Sequence, residues 1–112
     1  MTRIVLTNKK CVACEGNEKP MSEQEYKTLL KQVNGWRVAR KKEIIRNFVF
    51  KNFKLAIDFI NKVARLAESE GHHPDILLHA YKKLTISLTT HAIGGLSEND
   101  FIMAAKINKI QA

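Results

Sequence analysis

Four histidines occur in the 112 residues of this chain, and three of them are spaced so that a fold could gather them. His72 and His73 follow the end of a periodic apolar segment, with Glu68 one helical turn earlier, and His91 closes a later alternating stretch. Imidazole titrates near pH 6.5, so such groups can give or take a proton at neutral pH. Two or three of them around one small ligand could protonate a leaving group on one side and remove a proton on the other, help worth about 10²–10⁴-fold. Three histidines also suit zinc. A third reading is structural, with His73-Pro74 as a turn and His91 as a strand-end residue. Spacing alone favours acid–base chemistry and leaves the other two open.

The elements that must position these residues follow from periodicity. Ser22 and Glu25 have capping-box spacing and open a helix over about 23–33, with Tyr26, Leu29, Leu30 and Val33 on one face. Asn34-Gly35 ends it. Trp36 and Val38 begin a strand that runs to a turn near Arg40-Lys41, and 43–50 is a second strand rich in β-branched and aromatic residues. The longest periodic segment, 52–70, places Phe53, Ala56, Ile57, Ile60, Ala64 and Ala67 along a helix capped by Asn52 and stopped by Gly71. Pro74 keeps the chain extended at His73. Segments 75–79 and 83–90 read as strands, the second with Leu84, Ile86 and Leu88 facing one way and Lys83, Thr85, Ser87 and Thr89 the other. Gly94-Gly95 breaks the chain, and Ser97 caps a last helix, about 98–110, that turns Phe101, Ile102, Ala105 and Ile110 inward.

If the turn of the second hairpin is centred between 80 and 83, the cross-strand partner of His91 falls at about 72–74, and such partners have Cβ atoms about 4.5–5.5 Å apart. Three imidazoles then converge at one end of the sheet. The order α-β-β-α-β-β-α predicts an α+β domain of two layers, a four-stranded antiparallel sheet with three helices packed on one face. Residues 1–20 read as an extended N-terminal arm and 21–112 as a single domain.

Composition narrows the function classes. The net charge is +8, from 19 basic and 11 acidic residues, but the basic residues are dispersed. The densest cluster, Arg37 to Lys42, has no interleaved aromatic side chains to stack bases. A solvated surface is the favoured reading, and direct nucleic-acid contact is not expected. No stretch approaches the roughly 18 apolar residues of a membrane span. Ile4 to Leu6 is too short for a signal-peptide core of about 7–15 apolar residues, so a cytoplasmic protein without membrane contact is expected. Cys11 and Cys14 form a C-x-x-C that could serve a redox pair or half of a zinc site. No second C-x-x-C or H-x-x-x-H completes such a site, and Gly16, Asn17 and Pro20 make the surroundings a loop. Inert thiols are favoured; an intermolecular zinc site or a redox switch stays open.

The run Glu68-x-x-x-His72-His73-Pro74, followed by Tyr81, His91 and Asp100, resembles the signature of the pterin-4a-carbinolamine dehydratases. Thr85 to Ser97, Gly35-Trp36 and the Ala-rich helix around Phe59 are also similar to that family, and the resemblance spans about residues 20 to 110. It implies a dehydratase that converts 4a-hydroxytetrahydrobiopterin to quinonoid dihydrobiopterin and water, in the recycling of the pterin used by aromatic amino acid hydroxylases. It implies no redox cofactor and no metal. It places His72 and His91 as acid–base groups for the two C4a stereoisomers, and His73 as the group that helps bind the pterin and polarises the departing hydroxyl.

Glu68, Pro74, Thr89, Thr90 and Asp100 are then the substrate-binding and supporting positions. All but Pro74 have a plainer alternative. Glu68 could be a solvated helix-end carboxylate, Thr89 and Thr90 ordinary strand threonines, and Asp100 a helix cap. Tyr81 reads as a hairpin residue, Trp36 as core and His79 as a surface or packing residue. Two departures from the family pattern stand out: Gly71 where many relatives carry an acid, with Glu70 beside it but aimed differently, and Ile76 where many carry an aromatic. The resemblance further implies a homodimer or homotetramer. A competing class is a pterin-binding protein or a transcription-factor dimerisation partner without essential catalysis.

Overall fold

The computed structural model of the chain describes residues 5–12, 16 and 18–110. Cys14 lies outside the described residues. The first helix, α1 (Glu23–Leu30), opens on the expected capping box: the Ser22 hydroxyl accepts from the Glu25 backbone N–H, and the Glu25 carboxylate accepts from the Ser22 N–H. The chain then turns before the predicted end near 33. Short bonds from Gln32 N–H to Leu29 O and from Val33 N–H to Leu30 O tighten it. Val33 is nevertheless buried, as its position in the pattern required. Gly35 takes a positive φ of 87°, so the turn favours glycine; a Cβ there would also stand 2.8 Å from the Arg46 side chain, which would have to shift.

Two antiparallel hairpins follow, β1 (Arg37–Ala39) with β2 (Glu43–Val49), and β3 (Asp75–His79) with β4 (Lys83–Leu88). They are joined through β2 and β4 into one sheet of order β1-β2-β4-β3. The alternation in β4 comes through as predicted: Leu84, Ile86 and Leu88 are buried against the helices and Lys83 is exposed. Ile44 and Phe48 on β2, opposite Leu88 and Leu84, share that face. The architecture is therefore α+β, with three helices and a four-stranded antiparallel sheet in the order α-β-β-α-β-β-α.

Helix α2 (Phe53–Glu70) buries Ala56, Phe59, Val63 and Ala67. The inward stripe is rotated from the one that periodicity suggested, since Phe53 and Ala64 are exposed while Phe59 and Val63 are buried. Phe59 packs in tilted contact with Phe48 and Phe50, at 5.0 and 5.2 Å between ring centroids, and this aromatic cluster sets the rotation. Helix α3 (Glu98–Asn108) is buried nearly all round, from Asn99 through Ala105 and at Ile107. Its sheet side meets β4 and α2, and its other side is covered by residues 5–12, where Leu6 and Cys11 are buried. A helix apolar on every side must be enclosed, and the N-terminal segment supplies that cover. Trp36 is buried as expected, and its Nε1–H donates to Asn108 Oδ1 at 2.8 Å, fastening the end of α3 to the start of β1.

Candidate functional site

The site forms where α2 stops. Gly71 adopts the left-handed conformation, φ 69°, and its N–H donates to Ala67 O at 2.9 Å. This closes the helix as a C-cap glycine does. An L-residue at that φ is disfavoured by roughly 1–2 kcal/mol, which is a local reason for glycine at this departure from the family pattern. Glu70 is aimed away from the histidines: one of its oxygens accepts the Cys11 backbone N–H at 2.9 Å and the other the Lys106 ammonium at 3.0 Å. His72, His73 and Pro74 then carry the chain into β3.

His72 is mostly buried, and its Nε2 lies 2.6 Å from Asp100 Oδ1. Asp100 is wholly buried. Its second oxygen accepts from the Thr90 hydroxyl at 2.9 Å and from the Ser97 N–H at 3.0 Å. The two expectations for Asp100 thus merge, because one carboxylate caps α3 with one oxygen and holds His72 with the other. A carboxylate accepts hydrogen bonds, so the Nε2 of His72 carries the shared proton and Nδ1 is the ring nitrogen left for a ligand.

His73 pairs with Glu68, Nε2 to Oε2 at 2.6 Å, on an exposed surface. His91 does not end the strand as expected. Strand β4 stops at Leu88, Thr90 pairs with Gly95 in an isolated bridge, and His91 opens a 3-10 turn, His91–Ile93. The hairpin register, in which Leu78 faces Leu84 and His79 faces Lys83, centres on Tyr81. That register would set position 71, rather than 72–74, opposite His91 if the strands continued. The bridge to Gly95 ends the ladder first, yet His91 still reaches the same cleft.

That cleft has a volume of about 270 Å³ and is lined by Val12, Gly71, His72, His73, Thr89, Thr90, His91, Ala92 and Asn99. Its volume is close to the roughly 300 Å³ lower limit of small-ligand sites. All three expected histidines and both threonines meet there. The threonine hydroxyls are already committed as donors, Thr89 to Lys42 O at 2.6 Å and Thr90 to Asp100, so what they retain for a ligand is acceptor capacity. Glu68 and Asp100 stand behind the wall as partners of histidines. Pro74 is outside the lining and acts on the backbone path. His79, at the far end of β3, lines a different depression with Asn47 and Lys83. Among the described residues no group of three or more His, Cys, Asp or Glu side chains is arranged to hold a metal ion. Val12 and Asn99 were not anticipated. Asn99 stands next to Asp100 in the chain, which is a signal that could have found it, whereas nothing local to Val12 points to the cleft.

Cys11 donates through Sγ to Asn99 O at 3.6 Å. Burial pushes its thiol up to about 12, and the nearby Glu70 carboxylate adds to the effect, so at neutral pH it is a packed thiol. Glu70 shows the reverse balance. Burial alone would raise it, but the Cys11 N–H and the Lys106 ammonium together hold it below the usual carboxylate range.

Fold and cleft define a small α+β domain with a histidine–carboxylate pair at the edge of a ligand-sized cleft, a class suited to acid–base chemistry on a small molecule. A profile of the pterin 4 alpha carbinolamine dehydratases matches residues 19–110, and the chain belongs to that family. It is 46% identical over 110 residues to the mitochondrial pterin-4-alpha-carbinolamine dehydratase 2 of Arabidopsis thaliana, covering 95% of this chain and 59% of that protein. A protein of Alkaliphilus metalliredigens bearing the same dehydratase name is 45% identical over 96% of each chain. A crystal structure from Brucella melitensis, described as a transcriptional coactivator/pterin dehydratase, superposes with a TM-score of 0.74 at 35% identity, over 80% of this chain and 96% of that one.

Proposed function

We propose that this chain dehydrates a 4a-hydroxytetrahydropterin, as the names of its relatives state for them. The C4a–O bond breaks and its oxygen leaves as water after taking a proton from an imidazolium. A ring nitrogen loses its proton to a neutral imidazole, and its electrons close the C=N bond of the quinonoid product. Nothing is oxidised or reduced in the sum. His72 and His91 serve as acid–base groups for the two C4a stereoisomers, and His73 binds the pterin and polarises the departing hydroxyl. Glu68 orients His73, Asp100 orients His72, and Thr89 and Thr90 offer acceptors to the pterin. The observation that carries this reading is the cleft wall itself: imidazoles from the α2–β3 junction and from the turn after β4 face one space, with His72 backed by a buried carboxylate.

The test is a stopped-flow assay with freshly generated 4a-hydroxytetrahydropterin. His72→Ala and His91→Ala are each expected to lose about 10²-fold of the rate above the uncatalysed background, with circular dichroism unchanged. Full activity in both variants would remove the assignment.

The Brucella relative's description as a coactivator favours a second role, in protein binding. The same two substitutions, at the cleft, would leave such binding intact. The proposal also takes the physiological pterin to be a biopterin supplied by an aromatic amino acid hydroxylase, and the working form to be a homodimer or homotetramer.

A further inference from the structure

Residues 5–12 precede the stretch that matches the family, which begins at residue 19, yet their last residue, Val12, lines the cleft. The Val12 N–H donates to Asn99 Oδ1 at 3.0 Å, and the Asn99 amide donates back to Val12 O at 2.6 Å. One side-chain amide thus pairs with the backbone of one residue as a neighbouring strand would. Just before it, the Cys11 N–H is held by Glu70, the last residue of α2, and Lys9 is paired with Glu98, the first residue of α3, at 2.9 Å. The segment is therefore pinned to the two places from which His72 and Asp100 project. Asn99 is 4% exposed, whereas Val12 is 71% exposed. A buried clamp thus holds an exposed apolar residue at the cleft, where Ala92 is the other apolar side chain among imidazoles, hydroxyls and the Asn99 amide. On the other side of Val12 and Asn99 lies an adjoining groove of about 510 Å³.

We propose that Val12 is a substrate-contacting wall of the cleft and Asn99 the positioning residue that holds it there. The N-terminal segment then sets affinity for the pterin and leaves the proton transfers to the histidines. This rests on the pterin reading above. It separates two residues that are adjacent in the chain: Asp100 supports the reacting imidazole, and Asn99 supports the wall that faces it.

The test compares the full chain with its Val12→Gly, Val12→Ile and Asn99→Ala variants, by stopped-flow dehydration and by fluorescence titration with 7,8-dihydrobiopterin, a pterin with no 4a-hydroxyl to lose. Val12→Gly is expected to raise KM and the dihydrobiopterin Kd about five- to tenfold, the effect of losing partial burial of a valine side chain. Its kcat should change by less than about twofold, since an interaction made equally in ground and transition states moves KM alone. Val12→Ile should keep both constants near the wild-type values, and Asn99→Ala should show the same split as Val12→Gly.

Unchanged KM and Kd in Val12→Gly would overturn the proposal. A fall in kcat at constant KM in Asn99→Ala would overturn the positioning role, because it would mean that Asn99 serves Asp100 instead. An inactive wild type whose dihydrobiopterin affinity still depends on Val12 would sink the dehydratase reading and keep this one. An active wild type indifferent to Val12 would do the reverse, and a wild type that neither reacts nor binds would sink both.

Discussion

The carboxylates around the site divide by what they touch. Asp100 and Glu68 each meet an imidazole, whereas Glu70, two residues before His72, meets a backbone N–H and a lysine. Glu70 is therefore a structural tie, and its effect should be read in stability. Its folded pKa lies below the ordinary carboxylate value of 4.5. In the unfolded chain the group takes up a proton near 4.5, before it does so in the folded one, so the unfolded state binds more protons in that window. The contribution is complete above about pH 4.5 and is lost as pH falls from there through the lowered folded value. Urea unfolding across pH 3–7 should show this loss in the wild type. Glu70→Gln should be less stable at pH 7 and should show a smaller drop on acidification. A variant with the same pH slope as the wild type would mean that Glu70 carries none of it. Cys11 is tied into the same cluster, which gives its thiol a packing role whatever redox chemistry C-x-x-C spacing suggests.

At the scale of elements, local signals and distant ones parted company. Ser22, Asn52 and Ser97 were readable as caps because a cap is decided within four residues: the Ser22 and Asn52 side chains accept the expected bonds, and at Ser97 the backbone N–H donates to the Asp100 carboxylate. The alternation in β4 was readable because one face of the sheet is buried and the other is not. The phase of α2 was not, since which stripe turns inward depends on the contact of its Phe59 with Phe48 of β2 and with Phe50 just after that strand. The first hairpin turn was placed correctly at Arg40-Lys41 but the second only within 80–83, and neither carries the usual turn residues. Arg40, Lys41, Ala80 and Tyr81 all adopt positive φ without being glycine or asparagine. The wall residue Val12 was unreadable because its clamp spans 87 positions in the chain. The histidine cleft was readable because the turn of one hairpin brings its two sources together.

These turns carry a prediction. A non-glycine residue at φ 47°, as at Ala80, bears a left-handed penalty that glycine avoids, offset in part by the extra freedom of glycine in the unfolded chain. Ala80→Gly should stabilise the protein by about 0.5–1 kcal/mol and raise Tm by a few degrees. Ala39→Gly, in strand β1, should lower it by a similar amount. Differential scanning calorimetry decides it, and a fall in Tm for Ala80→Gly would mean that the turn is held by contacts that glycine loses.

For the whole molecule the sheet is open, and its two edges are unlike. β1 is three residues long and runs into the exposed Arg40, Lys41 and Lys42. A short edge with positive charge at its end resists pairing with another chain. β3 is longer and carries Ile76-Leu77-Leu78, with Leu77 59% exposed. Leu77 projects from the face opposite the helices, beside Thr85 and Asn47, and the exposed Val49 shares that face. An apolar edge strand of this kind is stable in water only when something covers it, and a second copy of β3 is suited to do so by antiparallel pairing. The chain should therefore run as a multiple of 12.8 kDa in light scattering coupled to size exclusion. Leu77→Glu would place like charges close together across a symmetric β3–β3 contact and should bring the mass down to one chain. The cleft residues flank the start of β3 and the turn after β4, away from Leu77, so dehydratase activity should persist in that variant. A wild type that is monomeric at every concentration, or a Leu77→Glu variant with undiminished mass, would show that the β3 edge is covered by something other than its own copy.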